Sequence, residues 1–146
     1  MVVEETKTIK RIRIIQCILF LFEIILLTLP YIGGMVDGKY RYFTCVDLLF
    51  GNTENQMPIA IRLASVVFLI IPIIGFFAAS FDKTRNIKNI IGIAGSGIEV
   101  CAIVIMIGAD ALALGSMLSL LLYLLIFFVS MLGVFSRIIP NNTNSK

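Results

Sequence analysis

IRIIQCILFLFEIILLTLPYI (Ile12–Ile32) is the stretch that decides the fold. A helix rises ~1.5 Å per residue, so about twenty apolar residues cross a ~30 Å hydrocarbon core. This run has that length, and its single acid, Glu23, sits at its centre. Lys7, Lys10, Arg11 and Arg13 lead into it. A basic start before an apolar run also describes a secretory signal. The apolar part of such a signal is only ~7–15 residues long, and no A-x-A cleavage site follows here. The stretch therefore reads as an uncleaved signal anchor and a first membrane span.

Three more runs of the same kind follow, at about Pro58–Phe81, Ile90–Ala109 and Ala111–Phe135. The expected fold is all-α, a four-helix transmembrane bundle in a single domain covering residues 1–146. Pro58 suits a first helical turn, where its missing N–H costs nothing. Pro72 lies inside its span and is expected to kink it, freeing the carbonyl of Phe68. Almost nothing but Asp110 separates the last two spans, which must form a tight antiparallel hairpin. The longest connection is Gly33–Gln56. It opens on GGMVDGK, which is turn chemistry. It continues through KYRYFTCV (Lys39–Val46), whose β-branched and aromatic content suits a short strand or hairpin arm. Leu48, Leu49 and Phe50 are expected to dip into the interface or cap the bundle. Residues 136–146 form a polar tail.

Composition agrees with lipid as the solvent. Of 146 residues, 59% are hydrophobic and 14% charged, and the mean hydropathy is +1.01. A soluble domain carries about 25% charge. Polar side chains are too few to coat a water-soluble globule. The net charge of +3 is small, and the basic residues sit at span edges rather than in a nucleic-acid patch. Nine of them flank the N-terminus, the Asp82–Asn89 link and the tail, against three (Lys39, Arg41, Arg62) around the first loop. That bias places both termini in the cytoplasm and the long loop outside the cell membrane. The Asn141-Asn142-Thr143 sequon then lies on the side where it is not used.

Helices in lipid associate through small residues and a few polar contacts. Ala111, Gly115 and Ser119 recur four apart, with Tyr123 next. Gly92, Gly95, Ser96 and Ala102 share one side of the third span, and Gly75 and Ala79 mark the second. These faces predict helix–helix contact, within one chain or between copies.

Glu23 and Glu99 stand at the centres of the first and third spans. Both spans run in the same direction, so the two acids share a depth. A charge at the bilayer centre costs at least ~2.5–3.5 kcal/mol, which makes each acid a candidate functional group. Glu99 lies on the small-residue face, and Glu23 aligns with Gln16 and Pro30 at seven-residue spacing. Tyr123 could donate a hydrogen bond to either, with Ser96 as a further neighbour. Two adjacent carboxylates in low dielectric do not both carry charge, and a touching pair titrates as a unit. Such a pair can hold and release a proton or a cation. It can equally be a structural cluster that fixes helix register by hydrogen bonds. Arg62, one turn inside its span, either snorkels to the interface or pairs with Glu54 or Asp110 at the outer mouth.

The chain has no histidine and no tryptophan. The commonest general base and the commonest zinc ligand are thus missing. Cys17, Cys45 and Cys101 lie in separate segments and suggest no disulfide framework. Cys17 and Cys101 read as small packing residues. No cofactor or metal site is expected. No G-x-S-x-G elbow and no paired aspartates occur in the spans, so no enzymatic activity is expected.

TLPYIGG (Thr28–Gly34), VDLLFGN (Val46–Asn52) and LIIPIIGFF (Leu69–Phe77) resemble segments of small four-pass membrane proteins of low-GC bacteria. The resemblance implies fold and location but no activity. FLFEIILLTLP (Phe20–Pro30) is also similar to the first span of small multidrug resistance transporters, whose membrane glutamate exchanges protons for cationic drugs. Only Glu23 carries over. The long loop, the second glutamate, the missing tryptophan and the charge bias depart from that family. The claudin loop signature W-GLW-C-C is absent, and tetraspanins place their large loop after the third span. The expected function is a non-enzymatic membrane scaffold or accessory subunit, with Tyr40, Tyr42 and Phe43 as exposed contact residues. The alternative is a small proton- or cation-coupled transporter or ion-conducting oligomer built on Glu23 and Glu99.

Overall fold

The computed structural model describes residues 6–36, 38–50, 59–83, 85–107 and 111–138. The expectations placed on Pro58, Glu54, Asp110 and the sequon lie outside these residues, as does the tail beyond Ile138; residues 136–138, expected in the tail, continue the last helix.

Helix α1 covers Lys7–Leu26. It starts before Ile12 because Thr6 caps it, its hydroxyl accepting from Ile9 N at 3.4 Å. It ends well before Ile32 because Pro30 has no N–H and disfavours a helical residue before it. The chain leaves through tighter bonds, Thr28 N to Ile25 O (3.1 Å) and Leu29 N to Leu26 O (3.0 Å). A two-stranded antiparallel hairpin follows, β1 Ile32–Val36 and β2 Lys39–Phe43. GGMV is therefore strand rather than turn, and Lys39 already belongs to β2. Gly38 just before it has φ 74°, a conformation glycine adopts without strain. The register pairs Ile32 with Phe43 and Met35 with Tyr40. Tyr40 and Tyr42 remain exposed, but Phe43 is only 7% exposed. Phe43 is thus corrected from a contact residue to a core residue, because the pleat turns it toward the bundle.

Helix α2 is short, Cys45–Phe50. A reciprocal cap holds its start: Asp47 N donates to Thr44 Oγ1 (3.0 Å), and Thr44 N donates to Asp47 Oδ2 (3.0 Å). Leu48 is wholly buried and Phe50 is exposed, so one side of α2 caps the bundle. Thr44→Ala is expected to lower stability by about 1 kcal/mol. Thr44→Ser should not, and thermal melts of the two variants in detergent check this.

Helix α3 is Ile59–Phe81 and runs on through Pro72. Helix α4 is Ile87–Ala102, continued by a π-helical turn over Ile103–Ile107. It begins before Ile90 because the Asp82 carboxylate accepts from Arg85 N (2.6 Å) and Lys88 N (3.0 Å). Helix α5 is Leu114–Ile138. Its start is set by Ala113 N donating to Ser116 Oγ at 3.0 Å.

The four long helices form a ring. α1 packs on α3 and α5, α4 packs on the same two, and α1 and α4 stand across the diagonal. The small residues sit at these contacts. A Cβ on Gly75 would collide with the Phe20 ring, one on Gly92 with Ser130, and one on Gly133 with Asn89. Gly115 N donates to Pro30 O at 2.8 Å, and Ile32 bridges Leu112, so the hairpin is tied to the start of α5. The predicted faces are therefore occupied within one chain.

Polarity is inverted relative to a soluble protein. Gln16, Glu23, Lys88, Asn89, Glu99 and several serines are buried, while Phe22, Leu63, Phe77, Ile105, Leu121 and Phe128 are more than half exposed. The segments Ile59–Phe81, Ile87–Ile105 and Leu114–Ser136 are long and apolar enough to cross a membrane. α1 carries Lys7, Lys10, Arg11, Arg13 and Glu23 and is not among them. Cys101 is exposed, which corrects its reading as a packing residue; its side of α4 faces outward. Cys45 is buried, and burial pushes its thiol above the usual range, so it stays protonated.

Candidate functional site

Glu23 reaches the bundle interior from α1, and Glu99 reaches it from α4. Each is 0% exposed, so no water-sized space touches either side chain. They lie within electrostatic range of each other despite the diagonal separation of their helices. The position follows from periodicity: any acid in an apolar helix turns from lipid, and here both inward faces converge.

The surroundings form layers. Toward the hairpin lie Leu27, Tyr31, Phe68 and Ile103, part of one apolar cluster. Tyr31 and Phe68 stack there with ring centroids 5.2 Å apart. On the other side lie Phe20, Ala79, Tyr123 and Ile126. Glu23 and Glu99 each stand one turn from members of these clusters.

One hydrogen bond reaches the pair. Ser119 Oγ of α5 donates to Glu23 Oε2 at 2.6 Å. Glu23 Oε1 and both oxygens of Glu99 are buried without a hydrogen-bond partner. The Tyr123 hydroxyl of α5 stands within interaction distance of the Glu99 carboxyl, although neither Glu99 oxygen completes a hydrogen bond of ordinary geometry. Tyr31 and Cys45 also lie in electrostatic range of both acids. Ser96, predicted as a neighbour, turns its hydroxyl to Gly92 O of its own helix at 2.6 Å. The hydroxyl at the pair is instead Ser119, which the sequence marked only as a small contact residue. Its position four residues before Tyr123, on the same stripe, was the available signal.

Arg62 lies apart from the pair. It lines an open pocket of about 230 Å³ with Leu48, Leu49, Ile59, Leu63 and Val66, between α2 and α3.

A second polar layer, not predicted, ties the far end of the bundle. Gln16 Nε2 donates to Asn89 Oδ1 (3.0 Å) and Ser130 Oγ (2.9 Å), joining α1, α4 and α5. Arg13 donates to Ser80 O (3.3 Å), and Cys17 Sγ lies 3.6 Å from Ser80 Oγ, joining α1 to α3. This layer is closed by glycines at 92 and 133, which leave room for Ser130 and Asn89.

Among the described residues, no three His, Cys, Asp or Glu side chains come together as a metal-ligand group. Comparison of the chain with known protein families, curated proteins and solved structures finds no match.

Proposed function

We propose that the chain is a four-pass integral membrane protein of the cell membrane, acting as a non-enzymatic scaffold or accessory subunit. α1 is the fourth crossing in this reading. Its outward face is Ile14, Ile18, Leu21, Phe22 and Ile25, all close to half exposed, which only lipid or another apolar surface covers favourably. The basic residues then place both termini in the cytoplasm and Gly33–Gln56 outside. The absence of histidine in the chain supports the non-enzymatic part.

The observation that carries the scaffold reading is the closure of the bundle. Glu23 and Glu99 have no exposed surface, and the small-residue seams are filled by the chain itself. The chemistry left for a partner is on the hairpin, where Met35, Tyr40 and Tyr42 are 71%, 51% and 62% exposed. Tyr40 and Tyr42 pack edge to face at 5.2 Å, a rigid aromatic surface suited to a protein partner or to headgroups. The second reading is a small proton- or cation-coupled transporter, or an ion-conducting oligomer, using the same two acids. The three partnerless carboxylate oxygens favour it.

Proton flux in proteoliposomes separates the two. The scaffold reading expects flux equal to protein-free vesicles for the native chain. It also expects the Glu23→Gln/Glu99→Gln chain to fold and keep its cellular activity. Flux above that background, lost in the double variant, would establish transport instead.

A further inference from the structure

Interhelical hydrogen bonding accounts for part of the acid pair and leaves the rest. A structural carboxyl earns its place by satisfying its lone pairs, and Glu23 does so once, through Ser119 at 2.6 Å. Glu99 completes none: both its oxygens are buried without a full hydrogen bond, and the one hydroxyl beside it, Tyr123, stops short of that geometry. A buried carboxylate with no partner is among the costliest groups a core can hold, and an apolar side chain of similar volume would be neutral or stabilising there. Packing alone thus gives no reason for Glu99.

The unspent donor capacity has a definite shape. Three buried carboxylate oxygens, Glu23 Oε1 and Glu99 Oε1 and Oε2, lack partners; the two carboxyls lie within electrostatic range of each other, and the Ser119 oxygen is bonded to Glu23. Among the described residues, Tyr31, Cys45 and Tyr123 are the titratable groups within electrostatic range, from the α1–β1 turn, α2 and α5. The buried α3 residues at the same end, Ser65, Phe68 and Pro72, carry no charge. Oxygen donors select hard cations over soft ones. Divalent cations of that class take more oxygens than this, from several carboxylates, and no third carboxylate joins the pair among the described residues. Zero exposure further excludes a hydrated ion.

We propose that Glu23, Glu99 and Ser119 form an occluded binding site for one small monovalent cation, carried without its water. The cation is a proton or a dehydrated alkali-metal ion held by one ionised carboxylate while the other acid keeps its proton, so that the occupied site is neutral. Occupancy holds α1 and α4 together across the ring, whether or not the cation ever crosses the membrane. The site goes beyond the scaffold reading and shares with it only the bilayer as solvent.

The test uses the full chain in detergent, as native protein, Glu99→Gln, Ser119→Ala and the outward-facing control Cys101→Ser. Each is melted in sodium, lithium or choline chloride at one ionic strength. Each is also exposed to dicyclohexylcarbodiimide, which modifies protonated carboxyls in apolar surroundings, with the labelled residue found by mass spectrometry. An alkali-ion site raises the native Tm in sodium or lithium over choline, by about 9 °C at a hundredfold excess over Kd, and protects Glu23 and Glu99 from labelling. A proton site shows no salt preference but labels one of the two acids at neutral pH in the folded chain. In either case Glu99→Gln loses the effect, Ser119→Ala weakens it, and Cys101→Ser keeps it. The proposal is overturned if the native chain shows neither salt preference nor labelling, or if Glu99→Gln melts at the native temperature or higher with both responses unchanged. Failure of the membrane reading itself looks different: alkaline carbonate would then release the chain from membranes, whatever the acids bind.

Discussion

Phe68→Ala is expected to lower the unfolding free energy by about 3–5 kcal/mol, the largest loss from any single truncation in this core. Phe68 is wholly buried on α3 and stacks on Tyr31. It shares its cluster with Leu27 at the end of α1, Ile32 of β1, Leu48 of α2 and Ile103 of the π-turn. Its ring is thus the common wall of several separate segments, and no single neighbour can move to fill the hole. Phe77 lies on the same helix but is 53% exposed. Phe77→Ala should change stability by no more than about 0.5 kcal/mol. Denaturant titration of both variants in one detergent gives the comparison. Equal losses would mean that Phe68 is not the anchor of the cap.

Gly115→Leu is the second large effect, expected at about 2–4 kcal/mol from overpacking together with one lost hydrogen bond. A Cβ at this position would lie 2.8 Å from the backbone oxygen of Pro30. That oxygen is also the acceptor for Gly115 N at 2.8 Å. Backbone cannot swing aside as a side chain can, so α5 must withdraw from the end of α1. Gly97 supplies the control, since a Cβ there meets nothing within 4 Å. Gly97→Ala should stabilise the chain by up to about 1 kcal/mol through helix propensity alone. Thermal melts read both signs.

The parts of this architecture visible in the sequence are those governed by one residue and its period. α3 was legible because an apolar run stops at Asp82 and its centre carries only Pro72. The small residues at 75, 92, 95, 115 and 119 were legible as contacts because lipid gives helices no other strong reason to pair. The inward turn of Glu23 and Glu99 followed from the cost of a charge in hydrocarbon. What failed needed a second segment to be known. Hydropathy carried the first span on to Ile32, whereas Pro30 had already ended the helix at Leu26. Phe43 reads as exposed until its pairing with Ile32 is known. Ser119 and Ser96 are equivalent by composition. Only the crossing of α1 with α5 chooses Ser119 as the donor. The Gln16–Asn89–Ser130 layer was hidden for the same reason, being assembled from three helices.

The Ser119–Glu23 bond has a consequence for how the chain is made. Its two ends are 96 residues apart. In the four-pass reading proposed above, Glu23 reaches the membrane before Ser119 has been synthesised. During that interval the first helix carries an acid with no donor, at a cost of order 3 kcal/mol if it settles alone in hydrocarbon. The arrival of α5 supplies the donor and the Gly115 contact with Pro30 in one step. A chain whose synthesis halts before Leu114 would lack both the Ser119 donor to Glu23 and the Gly115 contact with Pro30.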